Sequence, residues 1–183
     1  MLMEVVMAGF GGQGLLLIGK LLAEASMGEG KEVSWLPSYG PEMRGGTANC
    51  TVVVSDKPVA SPVINTPRSL VAMNRPSLEK FGPTVKPGGL ILINSSLIDI
   101  GSGRTDVKEY RIPCNAEAIA IGNDRAANMV ALGAYVALTE VCKLDSVIKW
   151  MEHQFEGKDK IIQSNRIALK RGYDIALQEA AKV

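Results

Sequence analysis

Cysteine and histidine are scarce: 183 residues contain only three cysteines, Cys50, Cys114 and Cys142, and one histidine, His153. The cysteines are far apart and odd in number, so the spacing of a zinc or iron–sulfur site is absent and no metal is expected. They read as reduced thiols packed as small hydrophobes, and His153, between Glu152 and Gln154 on a predicted helix, reads as a solvated surface residue. An excess of either charge is also missing. Twenty Lys and Arg against 19 Asp and Glu leave a formal net charge of +1, which provides no field to draw the chain to nucleic acid or an anionic membrane. Long apolar runs are lacking too. The apolar, uncharged stretch Ala126 to Thr139 is interrupted by Asn128 and Gly133 and falls short of the roughly 18 residues of a membrane span, so it is assigned to a buried helix. Met1-Leu2-Met3-Glu4 offers neither the basic flank nor the small-residue cleavage site of a signal peptide, and the expected location is cytoplasmic.

What is present fits an ordinary globular chain, 46% apolar and 21% charged, of a length that suits a single domain over residues 1–183. Leu2 to Ala8 is rich in Val and Met, as suits a central strand buried on both faces. Leu15, Leu16, Ile18, Leu22, Ala23 and Met27 then recur at helical spacing until Gly28 and Gly30. Further strands are predicted at Glu32 to Leu36, Thr47 to Val54, Ser69 to Met73, Gly89 to Asn94 and Val107 to Ile112, with a helical turn at Pro76 to Phe81. Asn115 is a plausible N-cap for a short helix over Ala116 to Ile121. Asn128 to Cys142 is apolar nearly all round. Two amphipathic helices follow, marked by Leu144, Val147, Ile148, Met151 and Phe155 and by Ile161, Asn165, Ala168, Gly172 and Ile175. The expected class is therefore α/β and Rossmann-like: a mostly parallel sheet with helices on both faces and a helical C-terminal third.

Two loops carry the candidate chemistry. Gly9, Gly11 and Gly14 reproduce G-x-G-x-x-G between a strand and a helix, the context that gives this short motif weight. The first Gly permits the tight turn, the second close approach of a ligand or backbone, and the third close packing of helix on strand. The amides of Gly11, Gly12, Gln13 and Gly14 would then face out from a helix N-terminus, a position that favours a phosphate or carboxylate. A dinucleotide site also needs an acidic residue at the end of the second strand to hold the ribose. Pro37-Ser38 stands there instead, and Glu29 and Glu32 lie at the wrong end of that strand. Bound NAD is disfavoured, and a turn that serves only helix packing or a subunit contact stays open.

The second loop, Ser38-Tyr39-Gly40-Pro41-Glu42-Met43-Arg44-Gly45-Gly46, leaves a strand at the edge where α/β sheets bind ligands, and is expected beside the first. Arg44 can hold a phosphate or carboxylate bidentately, Tyr39 can stack or donate a hydrogen bond, and Glu42 can fix Arg44 or pair with a partner chain. An exposed Glu42–Arg44 pair of little energetic consequence is the alternative.

These motifs, GFGGQG at Gly9 to Gly14 and SYGPEMRGG at Ser38 to Gly46 continuing into Thr47-Ala48-Asn49-Cys50, together with Ser61-Pro62 and Asn128 to Gly133, resemble the gamma subunits of 2-oxoacid:ferredoxin oxidoreductases. The resemblance implies a complex that oxidatively decarboxylates a 2-oxoacid with CoA and passes two electrons to ferredoxin. In that family thiamine diphosphate and Mg lie between alpha-like and beta-like subunits, and the iron–sulfur clusters lie in the beta-like subunit and a ferredoxin-like delta chain. The gamma-like chain would carry no catalytic residue and bind no cofactor alone; it would pack against the thiamine subunits and help shape the CoA site. The form of the second loop looks closest to the 2-oxoglutarate type, with branched-chain, pyruvate and indolepyruvate types sharing similar loops. A free-standing nucleotide-binding oxidoreductase is the runner-up, and a scaffold without a ligand the third reading.

Overall fold

A computed structural model describes residues 1–38 and 47–183. Six strands form one sheet: β1 (Leu2–Phe10), β2 (Glu32–Ser38), β3 (Thr47–Ser55), β4 (Ser69–Ala72), β5 (Leu90–Asn94) and β6 (Lys108–Ile112). Six α-helices accompany them: α1 (Leu15–Gly28), α2 (Arg75–Phe81), α3 (Cys114–Ala120), α4 (Ala127–Thr139), α5 (Leu144–Gln154) and α6 (Asp159–Ala180). The sheet order is β2-β3-β1-β4-β5-β6. β1, β4, β5 and β6 pair in parallel, whereas β3 runs antiparallel to both β1 and β2. β2 consequently points the same way as β1, and the mostly parallel sheet expected from sequence is present with β3 reversed.

The strand sequences show why the sheet is buried on both sides. Alternate residues of β1, Val5 and Met7 against Val6 and Ala8, belong to two separate apolar clusters, one on each face. The larger cluster joins Val52, Val54, Val71 and Leu92 to α1 and the C-terminal helices, and the smaller joins Leu70, Ala72, Ile91 and Ile93 to Leu78 of α2, Val85 and Ile98. α4 is the central pillar of the larger side. Every residue from Ala127 to Ala137 is buried, which matches its lack of a polar stripe, and the Tyr135 hydroxyl lies 2.8 Å from Ser69 Oγ at the foot of β4.

Two glycines set how closely α4 meets α6. A Cβ on Gly133 would overlap the Leu169 carbonyl oxygen, and one on Gly172 the Val130 carbonyl oxygen, so backbone packs directly on backbone. At the other end of the domain's helical side, Glu29 follows α1 and accepts hydrogen bonds from the Lys143 amide at 2.7 Å and Ser146 Oγ at 2.6 Å. It thereby caps α5, whose own N-cap, Lys143, supplies no side-chain acceptor. Burial works against the Glu29 carboxylate, but the bonds from Ser146 and Lys143 and the charges of Lys31 and Lys143 outweigh it and hold its pKa below the ordinary value.

One capping assignment is corrected. Asn115 does not start its helix: α3 begins at Cys114 with Pro113 as N-cap. Asn115 sits in the first turn, and its Oδ1 accepts from Asn94 Nδ2 at 2.8 Å, a tertiary partner that competes successfully with the local cap.

Candidate functional site

β1 and β4 are neighbours, yet α1 leaves β1 toward one face and α2 leaves β4 toward the other. The chain therefore diverges at their C-terminal ends, the position where open α/β sheets hold ligands. A crevice of about 420 Å³ lies there, lined by Gly12, Gln13, Met73, Asn115, Asp124, Arg125, Ala127 and Asn128.

The glycine loop forms one wall. Gly9 and Phe10 still belong to β1, and Gly12 (φ 89°) and Gly14 (φ 75°) take the left-handed conformation that turns the chain into α1. Gln13 folds back over this turn. Its Oε1 accepts from the Phe10 amide at 2.6 Å and its Nε2 donates to the Met73 carbonyl at 3.4 Å. A side chain on Gly9 would overlap Gln13 Oε1, so Gly9 is required by the lock on the loop. A side chain on Gly14 would overlap Asn128 Nδ2, which donates to the Gly14 carbonyl at 3.3 Å. The expected helix-on-strand role of Gly14 falls instead to Gly19, where a Cβ would overlap Cys50 Sγ of β3.

The other wall is stitched to the first through a single carbonyl. Met73 O accepts from Gln13 and also from Asn94 Nδ2 at 3.4 Å. Asn94, fully buried at the end of β5, accepts from the Cys114 amide and holds Asn115. Beyond it, Asn123 accepts from the Arg125 amide at 3.2 Å and fixes the short 3₁₀ turn Asp124–Ala126 that leads into α4. The crevice thus gathers the N-terminus of α1, which has no side-chain cap, the guanidinium of Arg125 and the amides of Asn115 and Asn128. This set can bind an anion or a carbonyl. Its only ionisable carboxylate is the exposed Asp124, and among the lining residues there is no pairing of nucleophile and base.

Of the residues singled out from sequence, Gly9, Gly11, Gly12, Gln13 and Gly14 are brought together on this wall. Ser38 ends β2 at the same sheet edge, in register with Asn49 and, one strand further, Ala8, and Thr47 lies opposite Phe10. The two ends of the second loop are therefore anchored beside the first. Tyr39, Glu42, Arg44, Gly45 and Gly46 lie outside the described residues. Met73, Asn94, Asp124 and Arg125 were missed. A signal existed for the last two: Gly122-Asn123-Asp124-Arg125 is a polar turn set directly before an all-apolar helix. Met73 and Asn94 act through a backbone carbonyl and a buried amide, for which no local pattern exists.

Among the described residues, no group of three or more His, Cys, Asp or Glu side chains is placed to hold a metal ion, and no helix is long and apolar enough to cross a membrane. Cys50, Cys114 and Cys142 are free and buried, on β3, on α3 and between α4 and α5 respectively. Burial pushes their thiols up to about 12, 12 and 11 respectively, a setting opposite to the thiolates that ligate a cluster.

A mixed Rossmann-like sheet with a polar crevice at its divergence point places the described residues in the α/β class. The chain belongs to the pyruvate ferredoxin/flavodoxin oxidoreductase family, whose model matches residues 4–175. It is 43% identical to the ketoisovalerate oxidoreductase subunit VorA of Methanothermobacter marburgensis over 94% of its own length but only 36% of that protein's. The chain thus spans about a third of that relative. It is 33% identical to the 2-oxoglutarate synthase subunit KorC of Methanocaldococcus jannaschii, covering 94% of this chain and 93% of the relative. Among solved structures, the gamma subunit of a keto/oxoacid ferredoxin oxidoreductase from Geobacter sulfurreducens superposes with a TM-score of 0.83 at 31% identity, covering 96% and 99% of the two chains.

Proposed function

We propose that this chain is the gamma subunit of a thiamine-diphosphate-dependent 2-oxoacid:ferredoxin oxidoreductase, acting without catalytic residues of its own. The observation that carries this reading is the end-to-end likeness to the Geobacter gamma subunit. In such a complex the thiamine diphosphate, held with Mg by alpha-like and beta-like subunits, supplies decarboxylation of the 2-oxoacid, and iron–sulfur clusters in other chains carry the electrons to ferredoxin. The buried, high-pKa cysteines do not fit a cluster in this chain.

This chain's part is positional. The edge formed by Gly9, Gly11, Gly12, Gln13, Gly14 and Ser38, continued by Tyr39, Glu42, Arg44, Gly45 and Gly46, meets the thiamine subunits and helps form the CoA site. The uncapped α1 N-terminus and Arg125 fit the anionic groups of CoA, because neither has a competing acidic partner within hydrogen-bonding distance among the described residues. The form of the second loop favours 2-oxoglutarate as substrate; the 43% identity to a ketoisovalerate oxidoreductase subunit favours a branched-chain 2-oxoacid as a second reading.

Co-expression with thiamine-binding partner subunits and assay of CoA-dependent ferredoxin reduction tests both points. A stable complex that turns over 2-oxoglutarate supports the first reading, and one that prefers 2-oxoisovalerate replaces it with the second. A chain that forms no complex with any thiamine subunit, and binds NADH or NADPH tightly by itself, overturns the assignment in favour of a free-standing nucleotide-binding protein.

A further inference from the structure

We infer that a second small-molecule site, selective for phosphate monoesters, lies at the opposite end of the sheet, where β4, β5 and β6 begin. This inference is independent of the functional reading above. A pocket of about 350 Å³ opens there, near the lower end of the range for small-molecule sites. Three cations line it, Arg68, Lys86 and Lys108.

The charges there are incompletely compensated. Lys86 Nζ is 3.0 Å from the buried Glu4 carboxylate, so one positive charge is matched. Arg68 and Lys108 form no ion pair or side-chain hydrogen bond among the described residues, which leaves the pocket with two cations free for a ligand. Arg68 is unusual in this. Of the seven described arginines, Arg75, Arg104, Arg166 and Arg171 are paired with Glu79, Asp106, Glu152 and Glu117, and Arg111 donates to the carbonyls of Ile98 and Ile100. The remaining two, Arg68 and Arg125, each line a pocket.

The floor under these cations is rigid. Lys86 N donates to Pro67 O at 2.9 Å and Leu90 N to Arg68 O at 3.0 Å, while Gly88 N donates to Asp106 O at 2.6 Å and Lys108 N to Gly89 O at 2.8 Å. The turn before β5 is therefore bonded on both flanks to the segments that carry Arg68 and Lys108. Gly89 has no room for a side chain, since a Cβ would lie 2.8 Å from Lys86 O and overlap Arg68 O. The stitched backbone holds the segments that carry Arg68, Lys86 and Lys108 on one rim of the pocket. Leu2, Met3, Pro87, Leu90 and Leu138 give the remaining walls an apolar part, beside the polar Ser69, Tyr110 and Thr139. A compact dianion with a small apolar body satisfies both features: the phosphate matches the two uncompensated charges, and the ester group covers the walls.

Titration of the ¹⁵N-labelled chain by NMR at constant ionic strength tests this. Phenyl phosphate is expected to shift the Gly88, Gly89 and Lys108 amides saturably and to bind more tightly than inorganic phosphate. Arg68→Gln and Lys108→Gln, both at exposed positions, should each weaken binding about tenfold, the loss of one charge-assisted contact, while circular dichroism stays unchanged. Shifts that sodium chloride reproduces, shifts confined to Gly12, Gly14 and Arg125, equal binding of succinate, or indifference to both substitutions would each overturn the inference.

Discussion

Gly172→Ala is expected to destabilise the fold, although in an ordinary helix interior the same change stabilises by about 1 kcal/mol. The reason is the crossing of α4 and α6. A Cβ at position 172 would lie 2.7 Å from the Val130 carbonyl carbon and 2.9 Å from its Cα, besides overlapping the oxygen. Ordinary carbon contacts begin near about 3.5 Å, so the helices must part by close to 1 Å along a seam formed by backbone, which has no rotamer to change. Overpacking of this kind typically costs about 1–3 kcal/mol, and a backbone clash belongs at the upper end. After the gain in helix propensity the net loss is about 2 kcal/mol, which for a chain of this length lowers Tm by about 4–8 °C.

Gly133→Ala meets Leu169 in the same way, with its Cβ 2.9 Å from the carbonyl carbon. Because one separation of the helices relieves both clashes, the double substitution should cost less than the sum of the two. Gln163→Ala, on the exposed face of α6, is the control: it leaves the seam untouched and should change stability by no more than about 0.5 kcal/mol. Urea unfolding followed by circular dichroism gives all four values. A Gly172→Ala protein as stable as the parent would refute the claim that these helices touch through their backbones.

Three further outcomes follow from particular contacts. Gln13→Ala should speed hydrogen exchange at the Phe10 amide while lowering stability by only about 1 kcal/mol, whereas Gln13→Glu should keep that protection, since it retains the acceptor; equal exchange in all three proteins would exclude a lock on the loop. Glu29→Gln should cost about 1 kcal/mol at neutral pH, after allowance for solvent screening. Because the folded carboxylate titrates below its unfolded value, that contribution is complete above pH 4.5 and fades as the pH falls through the lowered pKa, so the gap between the two proteins should close in acid; a gap independent of pH would contradict the capping role. Native Cys50, Cys114 and Cys142 should resist alkylation at pH 8 and react on unfolding. With folded thiols raised to about 12, 12 and 11 against 9.0 unfolded, stability should decline as pH rises past 9, and rapid native labelling would show the thiols to be accessible.

Residue patterns with short range were the legible ones. The apolar runs placed all six strands within a residue or two of their observed ends, and the uninterrupted apolar character of Ala127 to Ala137 identified α4 as a buried pillar. Strand direction was not legible. Nothing within Thr47 to Ser55 distinguishes a strand that reverses from one that continues, because direction is fixed by the connection and by which neighbour is free to pair. Asn115 shows a different limit. Its propensity to cap a helix is real, but a buried amide twenty-one residues earlier, Asn94, makes the stronger claim on its side chain. The glycine motif was found for its spacing, yet Gly9 and Gly14 are required for contacts with Gln13, Met73 and Asn128 that lie up to 114 residues away.

The reversed strand also accounts for the missing ribose anchor in a way that spacing alone could not. In the dinucleotide fold the second strand lies beside the first, so an acidic residue at its end faces the glycine turn. Here β3 occupies that place, and β2 is displaced by a further strand spacing of about 4.8 Å. An aspartate at Ser38 would stand two strands from the Gly9 to Gly14 turn, too far to share a ribose with it. What the insertion supplies instead is a direct link at the same edge. The connection from β2 to β3 begins two strands from the glycine turn and ends next to it, with Ser38 two strands from Ala8 and Thr47 opposite Phe10. The change that removes a nucleotide-binding geometry therefore also brings the ends of two glycine-rich loops onto one rim. For that reason the absence of an acid after β2 belongs to the architecture of this sheet, and restoring one by Ser38→Asp should not confer NAD binding, as calorimetry on that variant would show.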